Sequence, residues 1–315
     1  MSRPRQRAVV VPGNHDGVHL GHVALVARAR EVAARHQARV VALTFDPHPM
    51  VLLAPTRAPE SLTTIERRVE LLGRAGADEV VVARFDDRFA RLGPAAFVKQ
   101  ELVDRLGACA VVIGGDFRFG QGRAGDVAML HDLGNRFGFD VEVVDPVAGA
   151  WVERVSSTAI RDALKAGAVD EAARLLGRLH ELDGRVVEGH RRGRTLGFPT
   201  ANLGDVRVLH PRDGVYAVVA RVLREGRAHD DEPPMLGMLN VGTRPTFEAG
   251  RSVEVHLLDV ARDLYGQTLR LGLVARLRDE RRFDGLDALV AQLREDAVCA
   301  RAAASGTAAR ADVLR

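Results

Sequence analysis

Cysteine is nearly absent: Cys109 and Cys299 are the only two in 315 residues. Far apart and in apolar surroundings, they exclude a disulfide framework and a Cys-based zinc site and read as filler. Lysine is equally scarce, occurring only at Lys99 and Lys165, so the 45 basic side chains that face 42 acidic ones are otherwise Arg. Arg stays charged far above neutral pH, so the pI of 9.3 reflects Arg usage and not a basic face. Aromatic residues make up only 4%. With no Arg/Lys block interleaved with rings, a nucleic-acid partner is not expected. No apolar run reaches the roughly 18 residues of a spanning helix, so no membrane partner is expected either. The basic residues 1–7 lead straight into a strand-like segment with no apolar signal core, and the expected location is cytoplasmic.

What remains is ordinary globular composition, 46% hydrophobic and 28% charged. At roughly 100 to 200 residues per domain this length predicts two domains. Apolar, β-branched runs at 8–11, 39–45, 79–85, 109–113 and 139–144 read as buried strands. Helical patterns fill the gaps at 21–36, 64–75, 94–106 and 126–137. Thr63 with Glu66 suggests a capping box, and Pro94 suits a first helical turn. Strands and helices alternating at this rhythm predict a parallel, doubly wound α/β sheet. Two further helices follow at 157–166 and 169–178.

From residue 183 the pattern changes to strand-like runs with no helix between them, at 185–188, 215–222, 235–241, 252–259 and 268–277. Turn-rich separators predict a closed antiparallel β-barrel, covered by a final helix at 286–303. The expected domains are 1–180 and 181–315, with an Ala-rich tail from Ala302 that frays.

Chemistry first gathers in Gly13-Asn14-His15-Asp16-Gly17-Val18-His19-Leu20-Gly21-His22, between the first strand and the first helix. Ligands of open α/β sheets bind outside the carboxyl ends of the strands, where a helix N-terminus favours phosphate oxygens. His19 and His22, three apart at that helix start, can face one site and donate to developing negative charge. Gly21 removes a side chain where a nucleotide must lie against backbone. Two rival readings fit less well. Zinc ligation by His15, His19 and His22 matches no metal spacing and lacks a nearby Cys. Gly13-Asn14-His15-Asp16 looks like the GNH-D/E signature of dinuclear phosphoesterases, yet no Asp precedes residue 16, and Gly189-His190 is followed by Arg191 and Arg192.

The HxGH pattern of nucleotidyltransferases does fit. Thr44-Phe45-Asp46-Pro47-His48-Pro49 ends the second strand, and Gly115-Asp116-Phe117-Arg118-Phe119-Gly120 follows the fourth, with Arg123 and Gly125 beyond. Ser156-Ser157-Thr158-Ala159-Ile160-Arg161 opens a late helix. Downstream, Phe198-Pro199-Thr200-Ala201-Asn202 resembles the flavokinase Pro-Thr-Ala-Asn signature. The stretch from Gly237 through Asn240 to Phe247 and the run Ser252-Val253-Glu254-Val255-His256 continue that pattern. Over essentially the whole chain, and in the same order, these motifs resemble the prokaryotic bifunctional riboflavin kinase/FMN adenylyltransferases, also called FAD synthetases.

The resemblance implies a Rossmann-like HxGH nucleotidyltransferase domain followed by a riboflavin kinase β-barrel. ATP, riboflavin and FMN would be substrates, FAD the product and Mg²⁺ the cofactor, with small molecules as partners and a monomer or weak homo-oligomer as the state. His19 and His22 would stabilise the transferring phosphate, with Gly13, Asp16, Gly17 and Gly21 shaping the ATP turn. Ser157, Thr158 and Arg161, with Arg123, would hold phosphates. Asp116, Phe117 and Phe119 would support ATP and flavin, and Phe97 would wall the flavin. In the barrel, Gly193 and Arg194 sit in a basic Gly-rich loop suited to phosphate. Thr200 and Asn202, two apart on an extended segment, point the same way and suit Mg²⁺. Glu254 would take the proton of the riboflavin 5′-hydroxyl, and Arg282 and Phe283 would close over the flavin. One position departs: the family usually carries Phe where this chain has His15. An HxGH enzyme acting on another phosphorylated substrate would leave the barrel motifs unexplained, and a non-catalytic flavin sensor would leave the catalytic positions so.

Overall fold

Strands that are apolar on both faces belong inside a sheet covered on both sides. The computed structural model describes residues 7–145, 155–188, 197–228, 232–243 and 251–305, and its first half has this arrangement. In chain order it runs β1 (Ala8–Pro12), α1 (Leu20–His36), β2 (Arg39–Asp46), α2 (Pro49–Leu53), α3 (Ile65–Arg74), β3 (Glu79–Arg84), α4 (Asp87–Ala90) and α5 (Pro94–Phe97). Then come β4 (Ala108–Gly114), α6 (Val127–Phe137) and β5 (Asp140–Val144). All five strands are parallel, in the order β3-β2-β1-β4-β5. Between β1 and β4 the winding reverses, which opens the crevice where α/β sheets bind ligands.

Alternate residues of the central strands feed two cores. Val10, Leu43, Val111 and Ile113 face Val98, Leu102 and Leu130 on one side of the sheet. Val9, Val11, Val40 and Val112 face Val26, Ala29, Val32 and Leu72 on the other. Every residue of β1 is buried.

Two local expectations change. The helix expected over 94–106 begins as α5, with Pro94 in its first turn, but continues as a π-helix over Val98–Arg105, where the Leu106 N–H reaches the Glu101 carbonyl at 3.2 Å. The cap of α3 is Thr64, which accepts from the Arg67 N–H at 3.2 Å. Thr63 is not available for capping because its hydroxyl lies at 3.4 Å from both the Asp16 carboxylate and the Gly17 N–H.

Contacts divide the chain into Met1–Ser156 and Ser157–Arg315. The second unit contains α7 (Ser157–Ala166), α8 (Val169–Leu176), β6 (Glu181–Val187), β7 (Ala201–Gly204), β8 (Gly214–Arg224), β9 (Arg227–Ala228), β10 (Met235–Thr243), β11 (Arg251–Leu257), β12 (Thr268–Arg278) and α9 (Leu286–Ser305). The division falls before α7 and so places α7 and α8 in the second unit. The reason is α8, which buries Val169, Ala172, Ala173, Leu175 and Leu176 and clusters through Ala173 with Leu179, Ala217 and Val274 of the barrel half.

Six antiparallel strands close on themselves in the ring β6-β7-β11-β10-β8-β12, and β9 is appended to β8. Among the described strands, closure leaves no free edge except at β9. Strand β7 was read only as an extended segment; at four residues it is too short to carry a period-2 signal. Cys109 is buried and Cys299 exposed, both as free thiols. The tail expected to fray lies, from residue 306, outside the described residues.

Helix α9 covers the barrel with small side chains, Ala297, Ala300 and Ala303, against Met238 and Ala217. It is tied down by charge. Arg278 at the end of β12 donates to Asp296 at 2.8 and 3.0 Å, and Gln292 adds a 2.9 Å bond to the same carboxylate. Asp296 is buried, so removing it leaves a largely buried guanidinium without its counter-charge. Asp296→Ala is therefore expected to lower stability by about 3 kcal/mol, measured as a reduced denaturant midpoint at unchanged slope.

Candidate functional site

The first site grows from the carboxyl end of β1. His19 caps α1 from an extended conformation, which places His22 one turn further on the same side. Their rings stack with centroids 3.7 Å apart and planes at 19°. The His19 backbone N–H points at Nδ1 of His22, 3.3 Å away. An amide can only donate, so Nδ1 is the bare nitrogen and Nε2 carries the proton of the neutral ring. This hydrogen bond makes His22 a donor through Nε2.

A cavity of about 260 Å³ opens here, between the ends of β1 and β4. Of the residues expected in the site, Gly13, Gly21, His19, His22, Asp116 and Phe117 line it. The glycines act by yielding space to imidazoles. A Cβ on Gly13 would come within 2.9 Å of the His15 ring, and one on Gly21 within 3.1 Å of the His19 ring. A larger depression of about 590 Å³ lies near the amino end of β5. Ion pairs cross it, Arg35 to Glu142 at 3.5 Å and His36 to Asp140 at 3.2 Å, and it lacks the phosphate-facing geometry of the strand ends.

Asp16 is placed behind the cavity. Its carboxylate accepts from the Leu62 N–H at 3.0 Å, the Thr63 N–H at 3.3 Å and Arg68 at 3.2 Å. Gly17 follows with φ +86°. Arg68 also donates to the Thr44 hydroxyl and the Phe45 carbonyl, each at 3.3 Å. Sequence reading missed Arg68, although its signal is present: an Arg on the face of α3 that also buries Leu71 and Leu72 implies a buried counter-charge.

The loop after β4 closes on itself, with Phe119 and Gly125 exchanging backbone hydrogen bonds at 3.1 and 2.9 Å. The Phe119 ring rests on Gly125, where a Cβ would come within 2.6 Å of it. Phe117 stacks on Phe119 at 5.5 Å. Phe97 and Phe119 are only 4% and 5% exposed and belong to the core, so Phe117 alone of the three expected flavin rings faces the cavity. Arg123 is exposed, at φ +58°, and does not line it. Ser157, Thr158 and Arg161 stand on α7 in the second unit, and Ser156 just before them lines the cavity.

His15 was read only as a departure, and the structure puts it in the cavity wall. It is 1% exposed, and its ring meets that of His22 edge-on at 5.0 Å. Burial lowers its pKa from 6.5 to about 4, the hydrogen bond to the Val11 carbonyl opposes this, and Arg68 lowers it further.

In the barrel, register assembles the second site. Asn202 on β7 pairs with Glu254 on β11, and Glu254 pairs with Asn240 on β10. Paired residues project to the same face, so the three form a row. Strand β11 buries Val253, Val255 and Leu257 on its other face. The Ser252 hydroxyl donates to Glu254 at 2.9 Å, and Asn240 donates to Glu280 at 3.2 Å. Nδ1 of His256 lies 2.7 Å from the Pro199 carbonyl and Phe198 packs edge-on to that ring, fixing the segment that presents exposed Thr200. Arg282 is exposed, while Phe283 lies under the guanidinium groups of Arg278 and Arg281 at 5.7 and 5.9 Å. Gly193 and Arg194 lie outside the described residues. Sequence reading gave no role to Asn240 or Glu280.

A family model for FAD synthetase matches residues 2–159, and one for riboflavin kinase matches residues 176–304. The bifunctional riboflavin kinase/FMN adenylyltransferase of Escherichia coli (strain K12) is 42% identical over 95% of this chain and 93% of its own. The chain belongs to the bifunctional riboflavin kinase/FMN adenylyltransferase family. The relative of the same name from Pseudomonas fluorescens is 39% identical over 98% of this chain and 97% of its own. A solved structure described as a macrolide-efflux protein from Streptococcus pneumoniae superposes with a TM-score of 0.84, at 32% identity and 95% coverage of each chain. Among the described residues of this family member, no helix is long and apolar enough to cross a membrane.

The buried imidazole of this family member makes stability depend on pH. The unfolded chain protonates His15 near pH 6.5 while the folded protein does so only near 4, so its contribution is complete above about pH 6.5 and declines as pH falls toward 4. The loss is about 3 kcal/mol. Across this range the unfolding midpoint of the wild type should fall on acidification relative to that of His15→Phe, which has no titrating ring at this position.

Proposed function

We propose that the chain makes FAD from riboflavin in two ATP-dependent steps, one in each unit. The observation that carries this reading is the coexistence, in one chain, of a stacked His pair at the α/β switch point and the Asn202–Glu254–Asn240 row on a closed barrel.

In the barrel, Glu254 takes the proton of the riboflavin 5′-hydroxyl as that oxygen attacks the γ-phosphorus of ATP, and ADP leaves. Ser252, donating to Glu254, orients the carboxylate. The donor set of Thr200 hydroxyl and Asn202 amide, beside Glu254, is all oxygen and fits Mg²⁺, which commonly takes few protein ligands and completes its shell with phosphates and water. Bound there with ATP, Mg²⁺ would offset phosphate charge. Gly193 and Arg194 are assigned to the same phosphates, and Arg282 and Phe283 to the flavin.

In the first unit, an FMN phosphate oxygen attacks the α-phosphorus of a second ATP, and pyrophosphate leaves as the new phosphoanhydride forms. His22, protonated on Nε2 as its bond to the His19 N–H requires, donates to the oxygens on which charge accumulates, and His19 stacks beside it. Gly13 and Gly21 make room for the imidazoles, and Asp16 and Gly17 hold the turn rather than the ligand. Asp116 and Phe117 face ATP and flavin; Phe97 and Phe119 support Phe117 from the core. Ser157, Thr158, Arg161 and Arg123 are assigned to the triphosphate. Positioning and charge stabilisation suffice, with no covalent enzyme intermediate. Domain limits near 180/181, a cytoplasmic location and a monomer or weak homo-oligomer complete the reading; ATP dependence of both steps supports the location.

Separate sites separate the phenotypes. Glu254→Ala should slow riboflavin phosphorylation by roughly 10² to 10⁴-fold and leave FMN-to-FAD conversion intact, while His22→Ala should do the reverse. Chromatography of the flavins formed from riboflavin or FMN with ATP and Mg²⁺ reads both. A folded variant that loses both activities contradicts independent sites.

A further inference from the structure

His15 carries a buried nitrogen that the scheme above does not use. Nε2 of His15 lies 3.0 Å from the Val11 carbonyl oxygen. A carbonyl only accepts, so Nε2 bears the proton, and in the neutral ring Nδ1 is left as a bare lone pair. That Nδ1 is buried and has no hydrogen-bond partner among the described residues. The ring cannot turn away: Val11 holds its far nitrogen, the His22 ring abuts it at 5.0 Å, and Gly13 is the only residue type that leaves it room, a Cβ there falling 2.9 Å from the ring. The backbone at His15 is itself held at φ +50°, a conformation that non-glycine residues adopt sparingly. A strained, fully buried imidazole with an unsatisfied acceptor, in the wall of a cavity, is a costly arrangement unless a ligand completes it.

The chemistry of the missing partner follows from that lone pair. A phosphate oxygen also only accepts at neutral pH and would be repelled. Protonation does not resolve the mismatch, because burial keeps the ring neutral down to about pH 4. What fits is an O–H. We infer that Nδ1 of His15 is a specificity element of the first site, accepting a hydrogen bond from a sugar or polyol hydroxyl of the bound substrate. This rests on the proposed adenylyl transfer, where both candidate ligands carry such hydroxyls: the ribose of ATP and the ribityl chain of FMN. A Phe at this position could fill the space but offer no acceptor.

Substrate truncation tests it on the full chain. Binding of ATP, inosine triphosphate, 2′-deoxy-ATP, 3′-deoxy-ATP, FMN and 2′-deoxy-FMN is measured by calorimetry, without turnover, for the wild type, His15→Phe and His15→Asn. One deoxy compound should bind the wild type roughly five- to tenfold more weakly than its parent, the worth of one such bond. That gap should close in His15→Phe. It should persist in His15→Asn, whose Oδ1 overlays Nδ1 and whose residue type tolerates positive φ. Which compound shows the gap tells nucleotide from flavin. Equal gaps in wild type and His15→Phe for every compound overturn the inference, as does a gap confined to inosine triphosphate, which would assign the donor to the adenine amine. If both variants fail to fold, the ¹⁵N resonance of His15 Nδ1 in the wild type decides: it should move upfield on saturation with ATP or FMN, and an unmoved resonance overturns the proposal. A wild type that binds these ligands but forms no FAD refutes the adenylyl-transfer reading instead.

Discussion

The carboxylate of Asp16 holds the first site together. Buried between the β1–α1 turn and the start of α3, it accepts from the Leu62 and Thr63 amides and from Arg68. Arg68 in turn reaches Thr44 and Phe45 at the end of β2. A buried charge of this kind is tolerable only because every side of it is paired, and the pairing joins three segments distant in sequence. With the turn pinned from behind, its front can carry conformations that would not persist alone, including positive φ at His15, Gly17 and Val18. The stacked pair of His19 and His22 stands on that turn.

In the barrel, strand pairing places the polar row. Ring closure fixes register, and register alone sets Asn202, Glu254 and Asn240 side by side. The apolar alternation of β11 keeps Glu254 on the face opposite Val253 and Val255; a one-residue slip would turn the carboxylate into the hydrophobic interior. Charge enters at the margin, where Arg278 and Asp296 clamp α9 to the end of β12. The segment that follows presents Glu280 to Asn240, so the helix clamp and the polar row share one anchor.

Glycine and histidine are matched in the first site. Gly13 and Gly21 each leave the volume that an imidazole occupies, so they shape the cavity wall through the rings that they admit. The same economy appears in the loop after β4, where Gly125 lies beneath Phe119. Aromatic residues are few in this chain, and most of those near the site are spent on a packed chain of rings from Phe45 through Phe89 and Phe97 to Phe119. Phe117 is left at the surface of that stack, against the cavity.

The sequence by itself determined the two architectures and the motif residues, because hydrophobic period and turn chemistry are local properties that survive in one dimension. The five parallel strands, the barrel strands of seven or more residues and the HxGH turn were all legible this way. It did not reveal β7, too short for a period, or the π-helix, whose residues also suit an α-helix. Nor could it tell which members of a motif face a ligand. Asp16, Phe97 and Phe119 sit in the right motifs yet turn toward Arg68 or the core, while Arg68, Asn240 and Glu280 have side-chain hydrogen bonds to partners 23 to 52 positions away, and His15 has local contacts but a burial that is not local. Burial and pairing depend on where distant segments meet, and for that reason only the tertiary structure decided them.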